Sequence, residues 1–232
     1  MTSKKPDFKR VYSIANEYLA VTNCIDVFPY SLKALVKEQA DVHLCSFGKA
    51  IDKYGIPIKS FGSESALIEE YCGAHIIFFN EKEDKRRVRF SIGHEFGHFV
   101  LGHKMNLDRE NPIYGIQEIE ANCFSAQLLM PEQILRECVR RGYSITEEYI
   151  MKSFGVSQPA ANRRHSTMAK NDFDWDIRSD FMYDDIILER YMPFVNKIAP
   201  KRYKEKFNSF YFDDELARQQ ERDSWLDNRG RW

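Results

Sequence analysis

Residues 94–98 read His94-Glu95-Phe96-Gly97-His98, an HExxH motif, and no other stretch constrains the chain as strongly. On a helix the two histidines stand at i and i+4, so both imidazoles project from one face and can hold one metal ion side by side. Zn–N bonds of about 2.0 Å suit that spacing. Glu95 follows the first histidine directly, where its carboxylate leans over a water at the metal instead of binding the ion. Zinc lowers the pKa of such a water to about 7, and Glu95 is placed to take its proton. The segment must therefore be helical with one buried side, and Ile92, Phe96, Phe99 and Val100 supply that side at helical spacing. Ser91 is the expected N-cap. Gly97, which costs about 1 kcal/mol inside a helix, points to close packing, and Gly102 to the C-terminal stop.

Upstream, Gly73 to Asn80 is rich in Ile and Phe and reads as a buried strand, ending in a charged turn from Glu81 to Lys85. A catalytic zinc keeps three protein ligands and one open position, so a third ligand must come from elsewhere. The next helix, expected from Gln117 to Met130 and closed by Pro131, carries Glu118 and Glu120. Two residues apart, they point in different directions. Glu118 is the preferred ligand, because its face continues through the small or polar Ala121, Asn122 and Ser125, which let the helix approach. Glu120 is the alternative ligand, although its face continues into Phe124 and Leu128. Asn122 is placed to hydrogen-bond a histidine from behind. His103 falls one position early for the third histidine of HExxHxxGxxH. It reads as a group behind the ligands or one that polarises substrate; Tyr114 is the other candidate for stabilising an oxyanion. His43, His75 and His165 have no ligand spacing and read as ordinary strand or surface residues.

The stretch Ser91 to His103, SIGHEFGHFVLGH, followed by Glu118 to Pro131, EIEANCFSAQLLMP, resembles the ImmA/IrrE-type metallopeptidase family. The family pattern is close to HExGHxxLGH followed by ExEANxFAxxLLxP. The resemblance is sharp over residues 73–131 and weaker over 10–170. It implies a zincin-like core, one Zn²⁺ held by His94, His98 and a glutamate of the second motif, and Glu95 as general base. It also implies cleavage of a regulatory protein, often a helix-turn-helix repressor of a phage or mobile element. Gly93 stands where Ala is usual, and Cys123 and Ser125 are further small departures; none removes a catalytic group.

A chain of 232 residues can bury one good core and a small appendage. Its formal net charge of −1 argues against a general polyanion binder. The polar start, Met1 to Asp7, leads into no long apolar stretch, so neither signal peptide nor membrane span is expected and the protein is placed in the cytoplasm. Five cysteines without a CxxC read as reduced thiols. Helical spacing over residues 8–22 and 31–36, strands at Val42 to Phe47 and Ile56 to Phe61, and the motif helices together predict an α+β fold, a small mixed sheet packed with helices. The expected division is a metallopeptidase domain over residues 1–170 and a helical, acidic and aromatic extension over 171–232. Residues 147–169 give a competing reading, in which Gly155 turns a helix-turn-helix and Arg163 and Arg164 meet phosphate. On that reading the protein is a regulatory module that binds DNA or a protein partner; a toxin–antitoxin role is a weaker variant.

Overall fold

The computed structural model describes residues 5–25, 27–57, 65–71, 73–105, 107–170 and 181–201. The first half runs α1 (Phe8–Val21), α2 (Leu32–Lys37), β1 (Val42–Ser46), α3 (Phe47–Tyr54), β2 (Ala66–Tyr71) and β3 (Ala74–Phe79). The rest is helical: α4 (Lys85–Val100), α5 (Pro112–Leu129), α6 (Glu132–Arg140), α7 (Glu147–Phe154), α8 (Gln158–Lys170) and α9 (Phe181–Ile198). The three strands form one mixed sheet in the order β1-β3-β2, with β1 parallel and β2 antiparallel to the central β3. The class is α+β, as the pattern of elements predicts. The expected strand at Ile56 to Phe61 falls largely outside the described residues, as does Cys72; the other four cysteines are free thiols.

β3 is central because Ile77, Phe78 and Phe79 can be buried on both faces, whereas β2 ends in the half-buried Glu69 and the exposed Glu70 and Tyr71, which suit an edge. One face of the sheet receives α4, whose Val88, Ile92 and Phe96 form a buried stripe at i, i+4 spacing. That stripe corrects the expected helix start. Asp84, not Ser91, is the N-cap, its carboxylate accepting from the backbone N–H of Arg86 and Arg87 at 2.9 and 3.3 Å. Lys85, Arg86 and Arg87 form the exposed first turn, and an aspartate at the N-terminus also suits the helix dipole. α5 likewise starts earlier than expected, with Asn111 as its cap and Pro112 in its first turn.

α4 and α5 pack closely through small residues. A Cβ on Gly97 would lie 3.0 Å from the Phe124 ring and 3.3 Å from the Ala121 backbone. A Cβ on Gly93 would lie 2.6 Å from Ser125 Oγ, which donates a hydrogen bond to the Phe90 carbonyl at 3.0 Å. Two of the departures from the resembled pattern, Gly93 and Ser125, thus meet across one contact: a hydroxyl on α5 fills the space of a methyl missing from α4. Gly93→Ala alone should destabilise the fold by about 1–3 kcal/mol through overpacking. Adding Ser125→Ala should return most of that loss, a coupling readable in denaturant midpoints of the two single variants and the double variant.

α1 lies along α5, and α9 packs on α1 and α6. The Tyr191 hydroxyl on α9 lies 2.8 Å from the carbonyls of both Leu19 and Ile25, and Arg190 donates to the Ala20 carbonyl at 2.7 Å. The described residues up to Pro200 belong to one compact unit. Residues 171–180, where the expected domain division falls, lie outside the described residues. Among the described residues no helix is long and apolar enough to cross a membrane.

α7 and α8 do meet at Gly155, whose φ of +61° makes the turn. The Arg89 guanidinium, from the motif helix, caps that turn by donating to the carbonyls of Phe154 and Gly155 at 2.9 and 2.7 Å. The phosphate-binding pair proposed for this segment is not available. Arg164 is only 3% exposed and donates to the Met130 carbonyl at 3.0 Å and to the Tyr12 hydroxyl at 3.1 Å. It is a structural cation between α8, α1 and α5, and only Arg163 faces outward.

Candidate metal centre

His94 and His98 share one face of α4, and α5 crosses that face with Glu118. The two histidine Nε2 atoms lie 3.1 Å apart, and the Glu118 oxygens lie 3.4 Å from each of them. Donors around a tetrahedral zinc with bonds of about 2.0–2.1 Å sit roughly 3.3 Å from one another. Three donors of the right chemistry therefore stand at the right separations, and among the described residues this is the one group of at least three such side chains gathered closely enough. The Gly97 and Gly93 contacts make the approach possible, since larger residues would hold α5 and Glu118 away from the histidines. Proximity to the two imidazoles holds the Glu118 carboxyl well below the usual carboxylate range. Burial pulls His94 down, but Glu118 and Glu95 outweigh it and leave it above the ordinary histidine value.

Glu95 does not join the three donors. It lines the cleft half-buried, and burial raises its pKa against the pull of His94 and His98. Its carboxylate accepts a backbone hydrogen bond from Ile68, so the edge strand β2 borders the base directly. The strand at 66–71 is the element bordering the centre that sequence reasoning missed. Ala66-Leu67-Ile68 is a short apolar run followed by two acids, which gives only a weak strand signal in the sequence.

Asn122 hydrogen-bonds His94 and also donates to the Glu118 carbonyl at 2.7 Å. Tyr114 lines the cleft and hydrogen-bonds Glu118. His103 and Glu120, two separate candidates in the sequence, form one unit. His98 Nδ1 lies 3.0 Å from His103 Nδ1, and His103 Nε2 lies 3.0 Å from Glu120 Oε2. With His98 Nε2 turned to the centre, one consistent proton arrangement follows: His98 Nδ1–H donates to His103, and His103 Nε2–H donates to Glu120. Burial, with His98 alongside, lowers the His103 pKa to about 4, which keeps it neutral as that arrangement needs. Glu120 Oε1 accepts from the backbone N–H of Asp7 at 2.6 Å, tying the start of α1 to the same chain of bonds. Glu120 therefore points away from the three donors. His43 and His165 are exposed, and His75 stacks edge-on against Phe99 without joining the group.

The cleft over these residues has a volume of about 950 Å³ and is walled by β2, α4, α5 and the segment between the two helices. Another hollow, of about 1100 Å³ and lined by residues of all three strands, contains none of the metal-centre residues. No curated protein matches the chain. The model of the IrrE N-terminal-like domain, a peptidase domain, matches residues 51–166, half of the chain. The matched stretch holds β2, the motif helix and the glutamate helix, the three elements that border the cleft, and the chain belongs to this IrrE N-terminal-like metallopeptidase family.

Proposed function

We propose that the protein is a zinc-dependent endopeptidase that cleaves a regulatory protein in the cytoplasm, such as a helix-turn-helix repressor of a phage or mobile element. The observation that carries this reading is the set of two imidazole nitrogens and one carboxylate at 3.1–3.4 Å, with Glu95 beside them but outside the set. His94, His98 and Glu118 would hold the ion, which supplies Lewis acidity and a lowered water pKa at the scissile carbonyl. Glu95 takes a proton from the attacking water as the new C–O bond forms, and passes it to the amide nitrogen as the C–N bond breaks. Its raised pKa suits a group that must both accept and return a proton. Tyr114 is the group assigned to the oxyanion, because it lines the cleft, where its hydroxyl would turn from Glu118 to the substrate, whereas His103 lies outside the cleft lining, between His98 and Glu120.

His103 and Glu120 act through His98 as positioning residues: they fix its tautomer and aim Nε2 at the centre. Glu120→Gln should lower zinc affinity about 10–100-fold, measured by chelator competition, with the fold retained. An affinity within twofold of the parent would remove that role. The proposed reading as a whole is tested by incubating the zinc-loaded protein with a helix-turn-helix repressor encoded beside its gene and identifying new termini by mass spectrometry. One defined cleavage, abolished by a chelator and restored by zinc, is the expected result. An intact repressor would remove it as the substrate.

A further inference from the structure

We propose that the polypeptide segment gripped around the scissile bond is acidic, and that it runs from the metal cleft past Asn122 into a second hollow between α1, α5 and α8. This rests on the endopeptidase reading and names its substrate class. The second hollow has a volume of about 620 Å³, and Phe90 and Asn122 line both it and the cleft. The two therefore share a wall one helical turn from His94 on α4 and from Glu118 on α5.

Cations predominate among the exposed charges along this path. Lys104 and Arg109 line the cleft, and Lys9 and Arg163 line the hollow. All four are exposed, and none has an ion-pair partner among the described residues. The remaining cations of the two linings are engaged: Arg87 pairs with Glu83, and Arg164 is buried against Tyr12. Of the carboxylates, Glu95 and Glu118 belong to the centre, and Asp7 caps α1 by accepting from Arg10 N–H at 3.1 Å. Glu69 is the one left on the rim. Asp108 and Glu110 flank Arg109 but line neither space. A chain with a net charge of −1 has thus gathered unpaired cations at both ends of one path. The hollow also presents Phe8 and Ile119, large apolar side chains 42% and 48% exposed. An extended segment that carries acidic residues together with apolar ones complements this surface, and the potential would also steer it in. The basic recognition helix of a DNA-binding protein would be repelled, so within a repressor the cut would fall in an acidic linker.

The test is cleavage of a proteome-derived peptide library by the zinc-loaded protein, compared with the double variant Lys9→Glu/Arg163→Glu. The parent should cut with Asp or Glu enriched at positions displaced to one side of the scissile bond. For an acidic peptide taken from that profile, the double variant should raise KM about tenfold with kcat nearly unchanged, and Arg163→Lys should restore most of the loss. A profile indifferent to acidic residues, or enriched in Lys and Arg, overturns the proposal while leaving the endopeptidase reading in place. Competition by duplex DNA that vanishes in the double variant also overturns it, because the groove would then be a nucleic-acid site. A parent that cuts nothing in the library overturns the endopeptidase reading itself.

Discussion

Glu95→Gln should lower substrate cleavage by about 10²–10⁴-fold while zinc stays bound with nearly unchanged affinity. The substitution keeps shape and hydrogen-bonding capacity and removes only the ability to take a proton. Because Glu95 lies outside the three donors, the metal should not register the change. Cleavage is read on the peptide or repressor substrate and zinc by chelator competition, and the split between the two measurements is the diagnostic. A Gln variant that cleaves normally would assign the base elsewhere; one that also loses zinc would place Glu95 among the ligands.

Glu118→Ala should have the opposite signature. Protein zinc sites are worth roughly 10–16 kcal/mol at neutral pH. A third of that is about 4 kcal/mol, a fall of about 10³-fold in affinity. Zinc binding only to the folded state raises thermal stability by mass action, so the parent should gain melting temperature on adding zinc and Glu118→Ala should lose nearly all of that gain. The contrast with Glu120→Gln, for which only a 10–100-fold fall is expected, separates a ligand from a group that orients one. Equal losses in the two variants would contradict the roles given to these neighbouring glutamates.

Much of this arrangement is legible in residue order because it is local. The i, i+4 histidines, the buried stripe of α4 and the Glu118-Ala121-Asn122-Ser125 face of α5 are all matters of helical period. Gly97 could be read as a close contact before its partner was known. What resisted reading depends on distant partners. Arg163 and Arg164 are adjacent and chemically alike. Tyr12, 152 residues away, and the Met130 carbonyl make one of them a buried structural cation. β2 carries the consecutive acids Glu69 and Glu70, which are poor strand formers, and its strand character comes from pairing with β3. His103 and Glu120 each looked like a possible ligand or a bystander. Their pairing needs the path of the chain between α4 and α5, which no period reports. The helix start slipped from Asp84 to Ser91 because a basic, exposed first turn has no apolar signal of its own.

The measurement that tests the central claim most directly is zinc-edge X-ray absorption of the purified protein carrying one equivalent of zinc. The predicted spectrum has two imidazole nitrogens and oxygen ligands at about 2.0–2.2 Å and no sulfur, and the imidazole scattering falls by half in His98→Ala. A sulfur shell at about 2.3 Å, or a spectrum indifferent to His98→Ala, would place the metal elsewhere and contradict a centre built from His94, His98 and Glu118.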